Sequence, residues 1–321
     1  MSRRTRAGAL GALALFALFG PIGCAPAEDP EKLLTGLTSS DAEERQESAE
    51  KLEEVVRRGD ASVFLRGLDS PSMLVRAQSI TFLARVNTPE AKDGLRGLLA
   101  ANRRMELPFN PIRLRPESTA RADSRILAAS LIQRTGGDPK AIDVLLDGAE
   151  EGKTIKEIVG ACLAVGALRD PKGITFLDRA ALHPEPEVVR AAVQAMAPFD
   201  GPEVLPSLRR LASDPRPEVR ADVVVSLANH TDPEARSILM MIGGKDDVPE
   251  IRTAAWDVLS RQPPDAVVPY FIEQLRGAND QTRTALLEVL GRLTGQSLGA
   301  KPDAWARFWA TAHPPAADPV K

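Results

Sequence analysis

Apolar residues recur along this chain at helical spacing, each run following a short polar stretch that contains proline. In the stretch DPRPEVRADVVVSL, Val219, Val223 and Leu227 lie four residues apart. That spacing places them on one face of a helix that buries a single side. Asp214 is of a residue type that accepts hydrogen bonds at a helix start, and either Pro215 or Pro217 suits the first turn. The stretch therefore predicts an amphipathic helix.

The basic residue of this stretch, Arg220, has counterparts along most of the chain. Aligned on it, the sequence shows a basic residue about every 31 positions, with one longer interval of 49, at Arg45, Arg76, Arg125, Lys156, Arg190, Arg220, Arg252 and Arg283. Seven residues later stand Leu52, Leu83, Ile132, Leu163, Ala197, Leu227, Leu259 and Leu290. All but one of these are large aliphatic residues, as a repeated buried position requires.

A second set of helix starts alternates with the first. It lies at Pro30, Ala61, Pro89, Pro139, Pro171, Pro202, Pro233 and Pro264. Two helix starts in each period predict about eight helix pairs stacked in a row. One repeat is too small to bury its own apolar face, so neighbouring repeats must fold together.

The pattern resembles the HEAT repeat family, in particular the short bacterial repeats called PBS-lyase HEAT-like, whose second helix begins D-x-x-P-x-V-R. The best matches are DPRPEVRADVVVSL and DVPEIRTAAWDVL. The resemblance implies an all-α, right-handed solenoid over about residues 30–294, with the second helices lining the concave side. It also implies bent first helices at Pro206 and Pro269. Gln194 and Ala197 depart from the pattern, because they occupy positions expected to be apolar.

The N-terminus has the features of a targeting segment. Arg3, Arg4 and Arg6 precede an apolar run that ends before Cys24, which predicts a signal peptide over residues 1–23 and a tether over residues 24–29. Pro-Ile-Gly-Cys resembles a lipobox, which implies an exported cell-envelope lipoprotein with lipid on Cys24; the absence of Asp after it favours the outer membrane. Cleavage after Ala27 is the alternative, and it gives a soluble periplasmic or secreted protein.

Charge and cysteine content narrow the possible functions. The chain has 41 basic and 44 acidic residues, and loss of three arginines with the signal peptide makes its formal charge −6. An acidic, exported protein is not expected to bind nucleic acid. Cys162 is then the one cysteine left, which excludes a disulfide framework and suggests a small buried residue.

Two surfaces are candidates for binding a protein or peptide partner. The first is a segment over residues 100–118 that breaks the repeat and carries Arg103, Arg104, Arg113 and Arg115. Segments of this length are often functional, although its apolar residues could instead pack back onto neighbouring helices. The second lies five residues after each basic position, at Glu50, Thr81, Ser130, Ala161, Ala195, Val225, Asp257 and Glu288. Its centre, with Ala161, Ala195 and Val225, is apolar, and its ends are acidic, which suits a protein better than a polyanion.

After the last repeat, residues 295–312 predict a closing helix. Trp305, Phe308 and Trp309 lie three and four residues apart and form one aromatic ridge. This arrangement resembles the C-terminal segment of bacterial HEAT-like proteins, which would seal the end of repeat eight. An exposed aromatic ligand platform is the alternative. Residues 313–321 predict a disordered tail.

The sequence contains no recognisable catalytic or cofactor motif. His183, His230 and His313 fall in unrelated turns or in the tail, and no His/Cys cluster has metal-ligand spacing. We therefore expect no cofactor, no metal and no enzyme activity. The leading hypothesis is a protein-binding scaffold of the cell envelope. The alternative is a HEAT-like enzyme, such as a tetrapyrrole lyase or a base-processing protein.

Overall fold

Helix pairs make up the described part of the chain. The computed structural model describes residues 29–100, 124–150 and 154–314, and these contain seventeen α-helices and no strand. The first helices of the pairs are α1 (Pro30–Gly36), α3 (Ser62–Gly67), α5 (Pro89–Gly97), α7 (Ala141–Glu150), α9 (Ile174–Ala180), α11 (Leu205–Leu211), α13 (Pro233–Lys245) and α15 (Pro264–Arg276). The second helices are α2 (Ala42–Arg58), α4 (Met73–Val86), α6 (Ser124–Arg134), α8 (Ile155–Leu168), α10 (Pro186–Met196), α12 (Pro217–Ser226), α14 (Pro249–Leu259) and α16 (Asp280–Thr294), and α17 (Pro302–Ala312) follows them.

Each pair packs on the next, so that one apolar core runs from Leu33 to Trp305. The prediction of an all-α solenoid of eight helix pairs followed by a closing helix is confirmed. Among the described residues, no helix combines the length and the apolar character needed to span a membrane.

Local capping explains several of the helix boundaries. The Thr154 hydroxyl accepts a hydrogen bond from the Glu157 backbone N–H, and the Glu157 carboxylate accepts one from Thr154 N–H, which together form a capping box at the start of α8. Glycines in the left-handed region end α2 at Gly59 and α16 at Gly295.

Two details differ from the sequence-based expectation. Helix α12 starts at Pro217, and Asp214 accepts from the backbone N–H of Arg216, just before the helix, so Asp214 shapes the turn instead of capping α12. Pro206 lies at the start of α11, after a separate 3₁₀ turn over Pro202–Val204, so the first helix is broken there and not bent. Pro269 does lie inside its helix, α15.

The repeated arginines serve the fold. Arg45, Arg76 and Arg252 each donate a hydrogen bond to the carbonyl oxygen six residues earlier, at 2.7, 2.6 and 2.7 Å. Arg220 does the same to Asp214 at 3.0 Å. In these four repeats the guanidinium thereby fixes the turn that leads into the second helix.

In the centre of the stack, arginines also join successive repeats. Nε of Arg190 lies 2.7 Å from an Asp222 carboxylate oxygen, and Nε of Arg220 lies 2.7 Å from Asp246. These pairs connect α10 to α12 and α12 to the start of α14. The guanidinium groups of Arg190 and Arg220 are therefore engaged within the solenoid.

The second helices α6, α8, α10 and α12 lie closer to one another than the first helices beside them do. Small residues make this possible. A Cβ atom added to Gly166 of α8 would stand 2.8 Å from the Ala195 Cα and carbonyl oxygen on α10, which is closer than atoms pack. Tighter spacing on one side bends a stack toward that side, so the second helices form its concave side.

The last helix, α17, packs on α15 of repeat eight. Trp305 is 2% exposed, and its Nε1 donates a hydrogen bond to the Gly299 carbonyl oxygen at 2.7 Å. Phe308 and Trp309 are partly buried, and the Trp309 ring stacks on His313. Most of the aromatic ridge therefore packs against the end of the solenoid, as a closing helix requires.

Candidate binding groove on the second helices

A groove crosses α6, α8 and α10 on the concave side and encloses about 550 Å³. We call it the α6–α10 groove. Its apolar floor consists of Leu163, Gly166, Ala167, Ala195 and Pro198. Its polar rim consists of Ser130, Gln133, Arg134, Arg169 and Gln194. An apolar floor with a few polar groups at its edge is typical of ligand-binding surfaces.

The charge of the groove is positive. Two arginines, Arg134 and Arg169, lie on its rim, and its lining includes no aspartate or glutamate. Both side chains are exposed, and neither makes a hydrogen bond or an ion pair within the described residues. The arginines of the repeat are different, because their guanidinium groups donate hydrogen bonds to carbonyl and carboxylate oxygens.

Arg169 also has an unusual backbone conformation. It ends α8 in the left-handed region, with φ of 53°, and its N–H donates to the Val165 carbonyl oxygen. Glycine or asparagine ordinarily occupies this position, because a Cβ atom is disfavoured there. The described non-glycine residues with positive φ are Asn87 and Arg169. An arginine held in this conformation on the groove rim suggests a role other than stability.

A second cavity of about 300 Å³ adjoins the groove and shares Gln133 and Arg169 with it. Two carboxylates line this cavity, and both bind groups of the protein itself. Asp138 accepts from Arg96 at 2.7 Å, and Asp170 accepts from the backbone N–H of Lys172 at 3.0 Å. Arg169 thus lies at the junction of the two cavities.

The predicted partner-binding residues of the second helices differ in exposure. Ala161 is fully buried and Ala195 is 2% exposed, whereas Val225 is 45% exposed. Close packing of α8 against its neighbours covers Ala161, so its side chain is not available on an open surface. Ala195 forms part of the groove floor. The other candidates, Arg103, Arg104, Arg113, Arg115 and Cys24, lie outside the described residues.

Sequence reasoning missed Arg134 and Arg169, because neither shares the period of the repeat. One signal was available for the second of them. Arg169 directly precedes Asp-Pro at the end of a predicted helix, where a helix-ending Gly or Asn is expected. Gln194 had been singled out as a departure from the repeat, and the structure places it on the rim of the groove.

The three histidines are not brought together. His183 lies in the turn before α10, His230 in the turn before α13, and His313 after α17. Within the described ranges, no group of three His, Cys, Asp or Glu side chains is arranged to hold a metal ion. Cys162 is fully buried, and burial raises the pKa of its thiol to about 12, so the group stays protonated and unreactive at neutral pH.

His230 is 4% exposed, and neither ring nitrogen has a hydrogen-bond partner. Burial lowers its pKa, although the charges of Asp200 and Asp232 oppose that effect. Between the lowered pKa and the ordinary value of 6.5, the unfolded chain binds a proton that the folded protein does not. Stability contributed by neutral His230 is therefore present above pH 6.5 and is lost as pH falls through that window.

We expect the thermal unfolding midpoint of the wild type to fall as pH is lowered from about 7 to about 5. The midpoint of His230→Phe should fall less over this range. Leu182→Gln is the control, because it replaces an exposed residue that does not titrate and should leave the pH dependence unchanged. Calorimetry at several pH values measures the unfolding midpoints of the wild type and of each variant. Equal pH dependence in the wild type and His230→Phe would contradict a buried neutral His230.

The fold defines the class of protein: an α-solenoid of stacked helix pairs. A family model described as HEAT repeats matches residues 180–260 and 210–291. Residues 180–291 therefore consist of HEAT repeats, as the sequence pattern predicts. No curated protein matches the sequence.

Solved structures with similar folds are also helical solenoids. Kap95 in the "Kap95:Nup1 complex" has a TM-score of 0.52 at 10% identity, with 87% of this chain and 42% of that chain covered. This chain thus spans less than half the length of that protein. An engineered protein matches at 18% identity and a TM-score of 0.37, covering 91% and 85%. The CpcE and CpcF phycocyanin lyase of Nostoc sp. matches at 17% identity and 0.35, covering 86% and 98%.

Proposed function

We propose that this protein is a non-enzymatic scaffold that binds a protein or peptide partner on its concave side, through the α6–α10 groove. The observation that carries the proposal is the combination of an apolar floor with two arginines that have no partner among the described residues. Arginine side chains with free donors beside an apolar surface are characteristic of protein-binding sites.

Two further observations support binding over catalysis. The lining of the groove contains no His, Cys, Asp, Glu or aromatic residue, whereas a tetrapyrrole or base-processing site requires converging acidic and aromatic groups. Kap95 is described in complex with Nup1, which shows that a solenoid of related fold holds a protein partner. The enzymatic alternative has no comparable support in the described residues.

We also propose that the protein is exported and held at the cell envelope through lipid on Cys24, in the outer membrane. The basic and apolar N-terminal segment that ends at Cys24 supports this location. Mass spectrometry of the mature N-terminus tests it. A diacylglyceryl group on Cys24 is expected; an unmodified N-terminus at Glu28 would show a soluble protein instead.

The partner-binding proposal is tested by retention of envelope proteins on immobilised protein. We compare the wild type with a double variant, Gln194→Glu and Val225→Glu, which adds two negative charges to the concave side. Leu182→Glu is the control, because Leu182 is 67% exposed in the turn between α9 and α10, away from the groove.

We expect the same proteins to be retained by the wild type and Leu182→Glu, and their loss from the double variant. All three proteins should have the same circular dichroism spectrum. Retention that is unchanged in the double variant, or lost in Leu182→Glu alone, would show that the partner binds elsewhere.

A further inference from the structure

The groove has a charge and a length that restrict what it can bind. Three adjacent second helices, α6, α8 and α10, contribute its walls. Packed helices lie about 10 Å apart, so the groove crosses about 20 Å. An extended peptide advances about 3.3 Å per residue, and about six residues therefore cover this distance.

Arg134 and Arg169 lie on the ends of α6 and α8, in successive repeats. Guanidinium groups favour carboxylates, which accept two parallel hydrogen bonds from one arginine. Positive charge is also unusual here, because the whole chain carries a formal charge of −3. The groove is thus a local basic site, with an apolar floor, on an acidic protein.

The backbone of Arg169 supplies an independent argument. A glycine would adopt φ of 53° without cost, and it would end α8 better than arginine does. The chain nevertheless has an arginine there, at the junction of the two cavities. Its side chain makes no described interaction that would compensate for the backbone cost.

Resting on the proposed function, we infer that the α6–α10 groove recognises a short extended segment of a partner protein in which apolar residues are flanked by aspartate or glutamate, and that Arg134 and Arg169 bind those carboxylates. The apolar side chains lie on the floor formed by Leu163, Gly166 and Ala195. Gln133 and Gln194 are placed on the rim, where their amide groups can reach the peptide backbone.

The test uses synthetic hexapeptides with a randomised centre of Ala, Val, Leu and Ile. One pool has Asp or Glu at both ends, a second has Asn or Gln there, and a third has Lys. Affinity is measured by fluorescence anisotropy at low and high salt. The wild type should bind the acidic pool at least about tenfold more tightly than the amide pool, and added salt should reduce that preference.

Arg169→Gly separates recognition from stability. Removing the Cβ atom from a left-handed position should raise the thermal unfolding midpoint by about 2 °C, while the preference for acidic peptides falls about tenfold. Arg134→Gln should reduce the preference without changing the midpoint. Asn87→Gly is the matched control: it changes a residue of φ 54° at the end of α4, away from the groove, and should leave peptide binding unchanged.

Several results would overturn the inference. Equal affinity for the acidic and amide pools would show that the groove does not recognise carboxylates. The retention of envelope proteins on the immobilised wild type would still support partner binding. A lower unfolding midpoint for Arg169→Gly would show that Arg169 stabilises the fold instead of recognising a peptide. Binding to anionic phosphatidylglycerol vesicles but to no peptide pool would assign the groove to a lipid surface. A dimer seen by analytical ultracentrifugation and lost in Arg134→Gln would make a second copy of this chain the occupant.

Discussion

Replacing Arg220 with leucine is expected to lower the free energy of unfolding by about 3–5 kcal/mol, because it leaves the Asp246 carboxylate charged, buried and unpaired. The Arg220 side chain is 9% exposed and that of Asp246 is 1% exposed. Two hydrogen bonds join them, at 2.7 and 2.9 Å. Arg220 also donates to the Asp214 carbonyl oxygen, so the substitution removes the turn contact as well. Urea unfolding followed by circular dichroism measures the loss.

A surface pair provides the control for this substitution. Arg209 lies 3.1 Å from Glu234, and both side chains are 44% exposed. Arg209→Leu should therefore cost less than about 1 kcal/mol. If Arg209→Leu and Arg220→Leu shift the unfolding midpoint equally, the repeated arginine does not stabilise the stack in the way described.

Trp305→Ala is expected to lower the free energy of unfolding by about 3–5 kcal/mol. The indole is buried against repeat eight, and its loss leaves a cavity and removes the hydrogen bond to the Gly299 carbonyl oxygen. Because each repeat of a solenoid is stabilised by its neighbours, the loss should appear first at the C-terminal end. Hydrogen exchange should show faster exchange in α15, α16 and α17 than in α8 and α10.

Trp309→Ala is the matched control on the same helix. Trp309 is only partly buried and stacks on His313, so its removal should cost less than half as much. A larger loss for Trp309→Ala, or faster exchange spread evenly over all described helices, would contradict the account of α17 as a closing helix.

The fold was predictable from the sequence because two features recur at the same spacing along the chain: a basic residue near the start of each second helix and, except at Ala197, a large aliphatic residue seven positions later. In four of these helices the arginine also binds the carbonyl oxygen six residues earlier. The exact start of α12 was not predictable in the same way. Pro215 and Pro217 both suit a helix start, and the choice between them depends on the Asp214–Arg216 contact.

The candidate site was predicted only in part, because its parts do not follow the repeat. The position five residues after each basic residue gives equivalent places in α8, α10 and α12, yet Ala161 is buried and Val225 is exposed. The difference arises from the spacing between helices, which Gly166 and Ala195 make small on one side of the stack. Arg134 and Arg169 lie at helix ends, and it is only the folded structure that shows them on the rim of one groove.

Site-specific photo-crosslinking in cells tests most directly whether the concave side of the central repeats binds the partner. Benzoylphenylalanine is placed at Gln194, on the groove rim, or at Leu182, in the turn between α9 and α10. Crosslinks to a partner protein are expected from position 194 and none from position 182. Crosslinks from position 182 alone, or from neither position, would contradict binding on the concave side.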